Sequence, residues 1–217
     1  MTKEAKILIA IALVVIIGGV LLAIYANPQP EEAGKAVDPQ SLIRENSYMT
    51  GKKDAKVTIV EFGDFQCPAC AAAHPEVKAV LEQYKDNPDV NFVFRNFPLD
   101  SIHPNAHMAA EAAEAAGKQG KYWDMFDLLY SRQQEWAQDS APLGIFSRYA
   151  QEFSLDGDKF KSEVEQRFYA DIINTDYKDG EALGVNSTPT FFVNGVKQTG
   201  GFRRDEIKTL IDAELAK

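Results

Sequence analysis

Residues 56–70 of the chain read KVTIVEFGDFQCPAC, and this stretch decides the fold. Its first half, residues 56–62, is rich in β-branched residues and predicts a buried strand. Its second half holds the only two cysteines of the chain, Cys67 and Cys70, as a Cys-x-x-Cys pair. The following residues 71–86 carry apolar side chains at helical spacing. The cysteine pair is therefore predicted to stand at the start of a helix that follows a strand.

A helix N-terminus changes the chemistry of a cysteine. Its unpaired N–H groups and partial positive charge stabilise a thiolate, so Cys67 is expected to be a good nucleophile and a good leaving group. Cys70 follows one helical turn later and can attack a mixed disulfide at Cys67. Pro68 suits the first turn, where its missing N–H costs nothing. The pattern favours a redox-active disulfide between Cys67 and Cys70.

Two other uses of the cysteine pair stay open. A tetrahedral zinc site needs four ligands, and only His74, His103 and His107 could complete a Cys₂His₂ set. The disulfide could also be a static crosslink, although so small a loop restricts the unfolded chain little.

The rest of the chain alternates between strand and helix patterns. Residues 90–95 predict a second strand, which makes a parallel βαβ unit with the first. Pro75 is expected to kink or interrupt the helix between them. Four helices are then predicted, over residues 105–116, 122–136, 143–153 and 158–177. The last of these places Phe160, Val164, Phe168 and Ile172 on one face.

Strand character returns near the C-terminus. Residues 190–193 predict a strand, Asn194-Gly195 is a strong hairpin-turn signal, and a helix over residues 204–216 ends the chain. The order of elements is typical of an α/β thioredoxin-like fold. A helical insertion, about residues 101–179, interrupts it.

The N-terminal region predicts membrane attachment. Residues 7–26 form a run of 20 residues without a charge, which is long enough to cross a bilayer as a helix. A cleaved signal peptide is the alternative, but its apolar region is usually shorter. Because lysines precede the run, residues 1–6 are expected to be a cytoplasmic stub. Residues 27–47 are interpreted as an extended tether and residues 48–217 as the exported domain, on the extracytoplasmic side of the cell membrane.

Composition limits the classes of partner. The 217-residue chain carries a formal net charge of −9, which argues against nucleic acid because phosphate binding needs clustered Lys and Arg. With two cysteines it is not a disulfide-stapled scaffold.

Several motifs along the chain resemble the DsbA-like thiol–disulfide oxidoreductases, and most closely their membrane-tethered, BdbD-type branch. The motifs are Glu61–Cys70, Phe97-Pro98, His103–Ala106, Gln119–Trp123, Gly184–Phe191 and Gly201-Phe202.

The resemblance implies roles for particular residues. Thr188-Pro189 matches the family's cis-proline loop, which binds substrate beside Pro68 and Ala69. Glu61 matches a buried acid that exchanges protons with the second cysteine; an exposed glutamate at a strand end is the alternative. Asp64 is interpreted either as a turn former or as a tuning group. The family pattern has a histidine where this chain has Ala69, which weakens the expectation of extreme oxidising power.

The predicted function is an exported, membrane-anchored oxidase that introduces disulfides into reduced secreted proteins. The resemblance implies a quinone-linked membrane protein of the DsbB or VKOR type as the reoxidant. No cofactor and no metal are expected. The alternatives are a reductase or isomerase of exported disulfides, or a non-enzymatic peptide-binding module with a structural disulfide.

Overall fold

The computed structural model describes residues 36–198 and 203–217. Within these ranges no helix is both long and apolar enough to cross a membrane. The predicted stub 1–6 and anchor 7–26 lie outside the described residues, as does the first part of the predicted tether.

Strands flank a block of helices. The elements in chain order are β1 (Met49–Thr50), β2 (Val57–Gly63), α1 (Pro68–Tyr84), β3 (Val90–Asn96), α2 (Ala106–Gly117), α3 (Tyr122–Ser131), α4 (Gln133–Trp136), α5 (Leu143–Glu152), α6 (Gly157–Glu165), α7 (Ala170–Ala182), β4 (Thr190–Val193), β5 (Val196–Lys197) and α8 (Arg204–Leu215).

The strands form one sheet in the order β1-β3-β2-β4-β5. β2 lies at its centre, parallel to β3 with Val60 opposite Val93, and antiparallel to β4 with Val60 opposite Phe192. Every residue of β2 and β3 is buried, as expected for strands covered on both faces. The thioredoxin-like α/β fold with a helical insertion is thereby confirmed.

The back face of the sheet has its own small core, and part of the predicted tether belongs to it. Residues 39–42 form a short 3₁₀ helix whose Leu42 is fully buried with Val60 and Phe62. Arg44 pairs with Asp179 on α7. The apolar side chains of Leu42 and Ile43 are both buried against the sheet. Residues 37–47 are therefore part of the folded domain rather than an extended tether.

Proline does not interrupt α1. Pro75 lies inside a continuous helix over Pro68–Tyr84, so the expected interruption is wrong. Val77 and Val80, in the turns after the proline, are both almost fully buried. Their packing offsets the one backbone hydrogen bond that proline cannot donate.

Two predicted helices are each divided in the structure. The helix predicted over 122–136 breaks at Arg132 into α3 and α4. The helix predicted over 158–177 breaks between α6 and α7, where Arg167 has a φ of 51°. Phe168 is consequently 67% exposed, not on a core face as predicted, because a left-handed residue ends the helical periodicity.

A buried charge cluster joins β3 to α7. The Arg95 side chain is fully buried, and its Nε lies 2.5 Å from Asp176 Oδ1. Arg95 also donates to Asp179 and to the backbone carbonyl of Leu42. The amide N–H of Asn96 donates to the second oxygen of Asp176. The cluster ties the 3₁₀ segment, the sheet and the insertion together.

Candidate active site

The two cysteines occupy different environments at the start of α1. Cys67 is the N-cap residue, with φ −67° and ψ 122°, and Cys70 lies inside the first turn with no exposed surface. Both are free thiols. Between them Pro68 and Ala69 are exposed. Among the described residues, the exposed approach to the pair is therefore on the side of Cys67 and this dipeptide.

The environment separates the acidities of the two thiols. Hydrogen bonding from Cys70 lowers the pKa of Cys67 to about 5, helped by backbone N–H groups at the helix start, against the opposing effect of burial. Burial raises the pKa of Cys70 well above its usual range. At neutral pH Cys67 is a thiolate and Cys70 a thiol, the division that thiol–disulfide exchange requires.

Glu61 lies on β2 beneath the cysteine pair. It is only 2% exposed, so the alternative of an exposed strand-end glutamate is wrong. Burial, and then the negative charge of Cys67, raise its pKa to about 8. A carboxyl that is protonated at neutral pH can give a proton to a thiolate formed at Cys70. This role remains a prediction.

The acidity of Glu61 has a measurable effect on stability. A group whose pKa is raised by folding contributes stability that is present below its unfolded pKa, near 4.5, and lost as the pH rises through about 8. Relative to Glu61→Gln, the reduced wild-type protein should thus lose stability across this range, by about 1.4 kcal/mol for each tenfold change in proton affinity. Urea unfolding of both proteins at several pH values measures the difference. A pH-independent difference would contradict the raised pKa.

The loop before β4 faces Cys67. The Thr188–Pro189 peptide bond is cis, as the resemblance implies. Cys67 Sγ lies 3.4 Å from the Thr188 carbonyl oxygen. β4 then pairs with β2, with Thr190 opposite Phe62. The structure thus brings five of the predicted site residues to one place: Cys67, Cys70, Glu61, Thr188 and Pro189.

Asp64 organises the loop between β2 and α1. Its buried carboxylate accepts hydrogen bonds from the backbone N–H groups of Gln66 (2.7 Å) and Leu99 (2.9 Å) and contacts His103 Nδ1 at 2.7 Å. Its carbonyl oxygen accepts from the N–H of Cys67. Asp64 therefore forms the turn before the cysteine pair and joins it to Leu99 and His103.

Sequence reasoning missed the glutamines that join this loop to the insertion. Gln133 Nε2 donates to the carbonyl oxygens of Phe65 (2.7 Å) and Cys67 (3.0 Å). Gln66 Nε2 donates to the carbonyl oxygen of Ala137, and its Oε1 accepts from the N–H of Asn105. No periodicity marks these residues, since each acts on a partner far away in the chain.

Two of the three histidines pair with carboxylates, and the third lies near one. His74 pairs with Asp127 at 3.1 Å and His103 with Asp64, while His107 lies 3.7 Å from Glu111. In residues 36–198 and 203–217, no group of three or more His, Cys, Asp and Glu side chains is placed to hold a metal ion. The Cys₂His₂ zinc alternative therefore has no support in the described part of the chain.

Comparison with known proteins identifies the fold family. A family model described as thioredoxin matches residues 44–213. The structure is similar to oxidised BdbD from Bacillus subtilis, with a TM-score of 0.72 and 25% identity over 85% of this chain and 98% of that one. It is also similar in fold to α-DsbA1 from Wolbachia pipientis, with a TM-score of 0.72 and 22% identity over 83% of this chain and 96% of that one.

Curated sequences similar to this chain are larger proteins. A Na⁺/H⁺ antiporter, NhaA 3 of Salinispora tropica, is 38% identical over 180 residues, which are 83% of this chain and 26% of the antiporter. The chain thus spans about a quarter of the length of this relative. The family match, the structural similarity to BdbD and the geometry of the cysteine pair agree. The chain belongs to the thioredoxin family, and its fold is that of the DsbA-like proteins.

Proposed function

We propose that the chain is an exported, membrane-anchored oxidase that introduces disulfide bonds into reduced secreted proteins. The observation that carries the direction of this reaction is the low pKa of Cys67, about 5. A stabilised thiolate favours the reduced form of the enzyme, so the Cys67–Cys70 disulfide becomes a stronger oxidant. In a reductase the disulfide form would instead be the more stable one, so that the dithiol gives up its electrons readily.

The reaction begins at the exposed side of the pair. A substrate thiolate attacks Cys67 Sγ, a new disulfide forms between them, and the Cys67–Cys70 bond breaks with its electron pair on Cys70. Glu61 gives a proton to the buried Cys70 thiolate. A second substrate thiolate then attacks the substrate sulfur of the mixed disulfide, and Cys67 leaves as a stabilised thiolate. The substrate loses two electrons and gains one disulfide.

Substrate binding would use the surface around Cys67. The exposed Pro68 and Ala69 and the Thr188-Pro189 loop flank the reactive sulfur. An extended substrate chain could pair with the loop backbone, which gives affinity without demanding a particular side chain.

Residues 7–26 would anchor the enzyme in the bilayer with the domain on the extracytoplasmic side. A quinone-linked membrane protein of the DsbB or VKOR type would reoxidise the Cys67–Cys70 dithiol, since the site holds one cysteine pair and no second relay.

The equilibrium of the purified full chain with a glutathione redox series tests the direction. We expect the disulfide to be clearly more oxidising than glutathione, with intact mass after thiol alkylation as the readout. A potential near that of thioredoxin, about −270 mV, would indicate a reductase. A pair that does not exchange would leave only a structural disulfide.

A further inference from the structure

Tyr130 of α3 carries a buried hydroxyl that the fold does not use. The residue is 3% exposed, and its ring packs against Phe65 and His74 with centroid distances of 5.0 and 5.1 Å. The hydroxyl oxygen is buried without a hydrogen-bond partner among the described residues. An unpaired buried hydroxyl costs stability, so a phenylalanine would serve the core better.

The hydroxyl is aimed at the part of β2 that lies under the cysteine pair. A methyl group placed on Gly63 would be 3.0 Å from the Tyr130 oxygen. Because side chains alternate along a strand, Glu61 projects from the same face of β2 as Gly63. Tyr130 also packs in the same cluster of buried side chains as Cys70. The glycine thus leaves room for a phenol oxygen beside the buried acid and thiol.

The ionisable groups around this oxygen come from every element packed against it. They are Glu61 on β2, Asp64 in the loop, Cys70 and His74 on α1, and Tyr122 on α3 itself. Burial raises the pKa of Tyr130 well above its usual range, and charges on Cys70 and Glu61 raise it further. Tyr130 therefore stays protonated and keeps an O–H donor available to these groups.

We propose that Tyr130 is a positioning residue of the redox site, whose hydroxyl donates a hydrogen bond to the negative charge that appears on the Cys70–Glu61 pair when the disulfide opens. The inference rests on the proposed function. In the dithiol state both groups are neutral and the hydroxyl has no charge to bind. When a thiolate attacks Cys67, the electron pair of the broken S–S bond goes to Cys70, and the proton transfer from Glu61 leaves the charge on its carboxylate.

A donor already in place stabilises this charge without reorganisation. Tyr130→Phe removes only the hydroxyl oxygen, so we expect it to slow opening of the Cys67–Cys70 disulfide by glutathione roughly tenfold, as the loss of one hydrogen bond to a charged group predicts. The thermal midpoint of the oxidised protein should stay unchanged or rise. If the hydroxyl had only a structural role, Tyr130→Phe would lower the thermal midpoint and leave the rate of disulfide opening unchanged.

Tyr149→Phe is the matched control, because this buried tyrosine donates to Glu135 (2.9 Å) in the insertion. Opening is followed in the full chain by acid quench, alkylation and intact mass, at several pH values. An unchanged rate in Tyr130→Phe beside a reactive wild type overturns the inference and leaves the proposed function standing. A slower rate accompanied by a lowered thermal midpoint also overturns it, because a general loss of packing would then explain the slower opening. A wild type that does not exchange overturns the proposed function itself.

Discussion

Cys67→Ser should abolish disulfide exchange, whereas Cys70→Ser should accumulate a stable mixed disulfide with substrate. The asymmetry follows from the environments of the two sulfurs. Cys67 is the ionised nucleophile at the helix start, and Cys70 is a fully buried thiol. A serine hydroxyl at position 67 cannot form a disulfide. At position 70 it leaves Cys67 reactive toward a peptide disulfide, but it removes the thiol that would attack Cys67 and release the reduced peptide in this direction of the reaction.

The measurement is incubation of each reduced variant with an oxidised dithiol peptide, followed by acid quench, alkylation and intact mass. The rate at which Cys67→Ser reacts with the peptide disulfide should fall by several orders of magnitude, as expected when a nucleophile is removed. Ala72→Ser is the control, because Ala72 is exposed on the same helix and both thiols remain. Equal reactivity of the two cysteine variants would contradict the assigned roles, and full activity in cells without Cys67 would favour a non-enzymatic peptide-binding module.

Arg95→Leu should cause a large loss of stability. Its guanidinium has no exposed surface and bonds to Asp176, Asp179 and the Leu42 carbonyl. Leucine would leave the buried carboxylate of Asp176 without its counter-charge. Removing one partner of a buried ion pair typically costs about 3–5 kcal/mol.

Urea unfolding of the oxidised protein measures this loss. Arg132→Leu is the control, because the Arg132–Glu152 pair is exposed on both sides, at 37% and 44%, and such pairs contribute about 0–1 kcal/mol. The double variant Arg95→Leu/Asp176→Leu should recover part of the loss, since no unpaired charge remains. Equal losses from Arg95→Leu and Arg132→Leu would show that the buried cluster contributes no more than a surface pair.

Local patterns were sufficient to predict the elements that build the redox centre. The β-branched run of β2, the cysteine pair at a helix start and the Asn194-Gly195 turn all depend on neighbouring residues, and each has its predicted place in the structure. The breaks at Arg132 and Arg167 were missed because apolar spacing continues across both positions. Only the backbone angles reveal that the helix has ended.

Long-range polar contacts explain what the sequence could not show at the site. The sequence around Asp64 allows two interpretations, because the partners of its side chain are Gln66, two residues along, and Leu99 and His103, more than 30 residues away. Gln133 acts over 66 and 68 residues on two carbonyl groups. The sequence predicts Arg95 only as a residue of a strand, because its partners on α7 are more than 80 residues away. Such contacts require the tertiary structure.

The glutamine contacts also bear on how far this protein can be reduced in size. The insertion is not a separable module, because Gln133 and Asn105 supply donors to the loop that carries Cys67. A miniaturised version that joined β3 directly to β4 would keep the strands yet leave two carbonyl groups of that loop without their donor. The thioredoxin-like core and its helical insertion therefore have to be engineered together. Exchanging either one with that of a relative would require transferring both the cysteine loop and the residues of the insertion that bond to it.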